Sequence, residues 1–139
     1  MRPGAILAAL IALAGPAGAQ VVAPVDCAAP DLPPTEIAAC AAEVLTAAEA
    51  EMDETFRLAL TRAQAFDEET AAEGIEVALG VEEGLRAAQE AWAPYRDAAC
   101  DAEAATLRGG TAAPAAGTVC RARMALERTE ALRAFAPDI

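Results

Sequence analysis

The chain has 139 residues, with 22 acidic side chains against 10 basic ones, no histidine, no lysine and a net charge of −12. That balance excludes binding to nucleic acid or to an anionic membrane surface, both of which need basic patches. The lack of histidine removes the most frequent acid–base catalyst and metal ligand, and the hydrophobic fraction of 55% overstates the core because 41 residues are alanine.

Residues 1–19, "MRPGAILAALIALAGPAGA", carry one arginine, an apolar run from Ala5 to Ala14 and the small-residue ending Ala17-Gly18-Ala19. This is the pattern of a secretory signal peptide, cleaved near Ala19. The run is too short to span a bilayer, which takes about 20 apolar residues, and Cys27 lies too far downstream to carry a lipid. The expected product is periplasmic or secreted, with no membrane anchor. Loss of Arg2 with the leader leaves nine arginines against 22 acidic residues, a net charge of −13.

Residues 20–34, "QVVAPVDCAAPDLPP", hold four prolines and no helical period, so they read as an extended arm ahead of a single helical domain over 35–139. Thr35 offers a side-chain cap for a first helix from Glu36 to about Ala65. Ile37, Ala41, Val44, Ala48, Met52, Phe56, Leu60 and Ala63 draw one apolar stripe along it. The acidic stretch that follows, "DEETAAEGIEVALGVEEG", has glycines at 74, 80 and 84 and predicts a short helix with a break near Gly80 or Gly84. A second long helix carries the stripe Val81, Leu85, Ala88, Trp92, Tyr95, Ala99 and Ala102, which places Trp92 and Tyr95 on its inner face, with a kink at Pro94. Gly109-Gly110 ends it, and a loop leads to a last helix from about Thr118 to Ala134. Cys120, Met124, Arg128, Ala131, Leu132 and Phe135 are expected near its inner side.

Four cysteines in an exported chain suggest two disulfides. They include no C-x-x-C pair and no histidine accompanies them, which disfavours zinc and thiol redox chemistry; no metal and no cofactor are expected. Of the three possible connectivities the sequential one, Cys27–Cys40 and Cys100–Cys120, is preferred, each bridge stabilising by about 3 kcal/mol in the chain-entropy model. The fold class that emerges is all-α, a small antiparallel helical bundle stapled by two disulfides.

Nothing in the chain points to catalysis. Carboxylate pairs such as Glu68-Glu69 and Glu82-Glu83 occur in any acidic helical protein, and no nucleophile motif or phosphate loop is present. Arg96 and Asp97 adjoin the apolar face of the second helix, where a buried charge needs a partner. Glu127 and Arg128 on the last helix are the natural candidates. Such a cluster reads first as an inter-helix ion-pair network and second as a polar recognition site.

The block from Leu85 to Cys100, "LRAAQEAWAPYRDAAC", followed by Gly109-Gly110, a loop, Cys120 and "RTEALR", resembles the signature of the LprI-like lysozyme inhibitor family of small exported bacterial proteins. The matching residues are Gln89, Trp92, Tyr95-Arg96-Asp97, Cys100, Gly109, Gly110, Cys120, Arg128 and Leu132, and the amino-terminal half fits through Cys27, Cys40 and "AAEAEMDETF". Pro94 departs from the pattern, Asp53 and Phe56 stand where Asn and Tyr are expected, and the acidic stretch 67–82 looks longer than usual. The resemblance implies a disulfide-stapled, non-enzymatic exported protein whose partner is lysozyme or another basic peptidoglycan hydrolase. The strong negative charge agrees, since it steers a cationic partner, and Glu68, Glu69, Glu73 and Glu76 form the candidate partner-binding surface. The rival expectation is an envelope module that binds another protein or a small ligand.

Overall fold

The computed structural model describes Cys27 and residues 32–136, so the expected signal peptide and most of the expected arm lie outside the described residues. Three helices and no strand are found among the described residues: α1 (Pro34–Ala72), α2 (Val81–Ala105) and α3 (Ala113–Arg133). None is long and apolar enough to cross a membrane. The all-α, two-disulfide expectation therefore holds, with both bridges in the sequential pairing, Cys27–Cys40 and Cys100–Cys120.

Each helix differs at its ends from the sequence reading. α1 starts at Pro34 rather than Glu36, with Pro33 as the capping residue and no side-chain cap from Thr35. Proline suits the first helical position because its missing N–H would have had no partner there. α1 also continues seven residues beyond Ala65, to Ala72, absorbing the segment expected to form its own short helix. It stops at Gly74, whose φ of 75° lies in the left-handed region. Gly74 N–H donates to the carbonyl of Ala71 and Ile75 N–H to that of Thr70, the paired bonds by which a glycine closes a helix end. The break then spans 73–80, and Gly84 sits inside α2. α2 runs through Pro94 without interruption. α3 begins at Ala113, five residues before Thr118, again with proline in its first turn.

The core is built from small side chains. Ala48, Met52, Ala59, Ala63, Leu85, Ala122, Ala125 and Leu132 form one buried cluster, flanked by Val44, Leu45, Phe56, Leu60, Val81, Trp92 and Leu126. The α1 stripe the sequence drew is buried at Ala41, Ala48, Met52 and Ala63, while Thr55 and Ala59 take the innermost positions between them and Val44, Phe56 and Leu60 pack alongside. α1 and α3 make the most extensive helix–helix contact, and alanines on both sides of it let the two backbones approach closely. Two threonines are buried in the same layer. Thr55 and Thr129 satisfy their hydroxyls on the carbonyls of Glu51 and Ala125, one turn back.

The inner faces of α2 and α3 depart from expectation. Tyr95 is 64% exposed, and Phe135 and Ala131 also face solvent. The stripe read for α2 repeats every 3.5 residues, while a straight helix turns every 3.6, so the pattern drifts about 20° per heptad. From Val81 the drift reaches about 40° at Tyr95, two heptads on, and about 60° at Ala102, three heptads on, which carries both out of the interface. The face that is buried runs through Leu85, Gln89, Trp92, Arg96 and Cys100, putting an arginine where the sequence reading had a tyrosine.

Candidate functional site

Two assemblies of polar residues stand out, one inside the bundle and one at its end. The inner one begins with Arg96, whose side chain is 13% exposed. Its Nη1 donates to Glu49 Oε1 of α1 at 2.8 Å, and its Nη2 lies 2.9 Å from Asp97 Oδ1. The guanidinium also lies over the Trp92 ring, 5.3 Å from its centroid, so the indole takes up a cation that would otherwise be poorly solvated. Asp97 Oδ1 accepts a further bond from Arg121 Nε at 3.3 Å, and Arg121 reaches on to Asp101. The network ties all three helices together.

One turn-pair further along, Arg128 Nε donates to Gln89 Oε1 at 2.9 Å, while Gln89 Nε2 sits 3.6 Å from Met52 Sδ. Arg128 Nη2 is buried without a partner. Burial pushes the Arg128 guanidinium below its ordinary range, the direction expected when a cation is desolvated without a counter-charge. The pairing anticipated for Arg96 and Asp97 is therefore corrected. Their partners are Glu49 and Arg121, Arg128 pairs with the neutral Gln89, and Glu127 pairs with Arg123.

For Asp97, burial works to raise the carboxyl, but the hydrogen bonds and charges of Arg96 and Arg121 outweigh it and hold the group below the usual carboxylate range. A depressed folded-state value contributes stability that is present above the unfolded value, near 4, and is lost as pH falls through the folded one. Half of the side chain is in water, so the contribution is well under about 1 kcal/mol. Urea midpoints measured from pH 6 down to pH 2 should fall less steeply for Asp97→Asn than for the unaltered protein. Parallel curves would show that Asp97 is electrostatically idle.

The second assembly lies where α1 passes into α2. Asp67 Oδ1 accepts Val81 N–H at 2.9 Å and Oδ2 accepts Glu82 N–H at 3.0 Å. One carboxylate thus satisfies two of the orphan donors at the start of α2 and places a negative charge at its positive end. Gly80 makes the approach possible, because a Cβ there would lie 2.8 Å from Asp67 Oδ2. Asp67→Ala should cost about 1 kcal/mol, the usual value of a lost helix cap, read as a lower urea midpoint. An unchanged midpoint would mean that the backbone alone fixes the connection.

Outside this clamp the chain displays its charge. Glu68 and Glu69 ride the last turns of α1, Glu73 caps it and Glu76 lies in the connection, all exposed. Between Arg62 and Arg86 there are seven carboxylates and no basic side chain. The acidic residues named from the sequence are brought together at one end. The Gly109-Gly110 turn lies at the other end of α2, about 37 Å away along a 25-residue helix. There Arg108 and Gly109 both take positive φ, and a groove of about 570 Å³ opens between the turn, Pro114 and Arg121. No cluster of three or more His, Cys, Asp or Glu able to hold a metal occurs among the described residues.

Sequence reasoning missed Glu49, Arg121 and Asp101 in the network, and it missed the clamp at Asp67. Arg121 could have been found from the neighbouring Cys120, since the disulfide fixes which residues of α2 face it. Nothing in the local sequence marks Glu49.

The chain is 34% identical over 128 residues to an uncharacterized protein, R02472, of Rhizobium meliloti (strain 1021), a match covering 91% of this chain and 89% of that one. No solved structure matches. The family model for lysozyme inhibitor LprI matches residues 27–132, from the first disulfide cysteine to the buried Leu132, and the chain belongs to that family.

Proposed function

We propose that the protein is exported to the periplasm and binds lysozyme, or a related basic peptidoglycan hydrolase, as a stoichiometric inhibitor without catalytic activity of its own. The observation that carries this reading is the charge layout at the α1–α2 end. Elsewhere on the bundle Arg57, Arg86, Arg121, Arg123 and Arg133, and the inner Arg96, are engaged with carboxylates, whereas Glu68, Glu69, Glu73 and Glu76 project together from a stretch with no cation of its own. Such a single-sign field accelerates encounter with an oppositely charged partner. The family description supplies the partner's class, since it names lysozyme as the inhibited enzyme.

The test is clearance of a peptidoglycan suspension by a basic c-type lysozyme, with and without the oxidised mature protein. Inhibition saturating near one equivalent is expected, with association that slows as salt rises. Neutralising Glu68, Glu69, Glu73 and Glu76 to glutamine should slow association roughly tenfold or more at low salt. Undiminished lysis with the protein in excess would overturn the reading. The rival, a ligand-binding envelope module, would draw on the groove beside Gly109 and Gly110. Its one cation, Arg121, is already tied to Asp97 and Asp101, which leaves little there to recognise an anion.

A further inference from the structure

The acidic end is also the apolar end. Phe66, Ile75, Val77 and Leu79 are each more than half exposed and fall within fourteen residues of one another. Phe66 and Val81 also line, with Arg62, Ala63 and the exposed Phe135 just beyond α3, a hollow of about 280 Å³. In a chain whose core is mostly alanine, large aliphatic side chains held out of the core mark a contact surface. They are held out by structure at both sides. The left-handed Gly74 closes α1 immediately before Ile75, and Asp67 clamps the start of α2 immediately after Gly80. A segment fixed at both ends presents its side chains with less ordering cost on binding than a free loop.

The surrounding charge selects the occupant. A second copy of the chain would bring seven carboxylates against seven, and an anionic lipid surface would be repelled in the same way. A cationic protein surface with an apolar floor is complementary on both counts. Building on the inhibitor reading above, we propose that the 73–80 connection is the inhibitory element: Ile75, Val77 and Leu79 enter the substrate cleft of the basic glycan hydrolase, while Glu68, Glu69, Glu73 and Glu76 engage the cations around its mouth. Apolar residues at the centre of a contact govern how slowly it comes apart, and charges at its rim govern how quickly it forms.

The experiment uses the oxidised mature protein and a basic c-type lysozyme, with association and dissociation rates measured at two salt concentrations alongside lytic activity. The variant I75S/V77S/L79S should dissociate roughly 100-fold faster with association and its salt dependence unchanged. Leu79 also lies against Gly84, its Cδ2 at 3.6 Å from where a Cβ would stand, so I75S/V77S serves as a second variant that leaves that contact alone. Tyr95→Ser, which alters an exposed aromatic elsewhere on α2, should change neither rate. A saturating N-acetylglucosamine oligomer in the lysozyme cleft should compete with the unaltered protein. If the serine variants bind and inhibit as the unaltered protein does, or if the oligomer does not compete, the connection is not the inhibitory element although inhibition itself stands. If the unaltered protein neither binds nor inhibits, the inhibitor reading and this assignment fall together.

Discussion

Leu132→Ala should lower the free energy of unfolding by about 3 to 4 kcal/mol, well within the range for a leucine truncated in a core. The side chain is fully buried, and the residues sharing its cluster are mostly alanines that have no side chain to swing into a void. The cost of such a truncation grows with the cavity that remains. A core of methyl groups on rigid helices keeps nearly all of it. For a chain of this size, between the small and large domains for which the figure is known, each kcal/mol is worth roughly 4 °C in Tm, so the expected fall is on the order of 10–15 °C. Calorimetry of the oxidised protein measures it. A fall of only a few degrees would show that α3 can shift to close the gap.

Removing the second disulfide, as Cys100→Ser with Cys120→Ser, should cost about 3 kcal/mol. The bridge closes a loop of sequence separation 20, for which the chain-entropy model gives about that value. Two buried sulfurs are also exchanged for hydroxyls in a site where both cysteines are almost inaccessible, which adds to the penalty unless each hydroxyl finds a carbonyl. The bridge lies within the Arg96 network, with Cys100 between Asp97 and Asp101 and Cys120 next to Arg121, so its loss should also loosen the Asp97–Arg121 contact. Urea unfolding of the oxidised protein and of the oxidised double variant, which keeps Cys27–Cys40, measures the loss. Equal midpoints for the two would mean that helix packing alone sets the register of α2 on α3.

That register explains how much of the molecule could be read from its sequence. The α1 stripe was legible in outline because eight apolar residues recur at helical spacing, although the innermost positions between Met52 and Ala63 go to Thr55 and Ala59 rather than to the larger Phe56 and Leu60. The inner network was legible only in kind. Asp97 lies three residues before Cys100, about 4.5 Å along the axis, so in an antiparallel pair its counterpart lies within a turn of Cys120, where Arg121 is found. Arg128 is eight residues beyond Cys120 and falls beside Gln89 instead. Carrying the disulfide through as a ruler would have given both pairs. Tyr95 was misplaced because a 3.5-residue pattern was followed too far along a helix of 3.6. The extension of α1 to Ala72 was hidden by its composition, since polar, acidic turns form helix as readily as apolar ones when a glycine closes the end. Nothing local could show that Asp67 reaches across to Val81 and Glu82, because that bond depends on two helix ends meeting in space.

The Asp67 clamp also separates two kinds of change that a protein of this type undergoes. Because the carboxylate holds the ends of the connection together at its base, residues 75–79 can lengthen, shorten or change chemistry without passing strain into the helices. The cost of closing a longer loop rises only slowly with its length. The bundle then behaves as a fixed handle and the connection as an exchangeable tip, whose sequence can change while folding stability stays where it was.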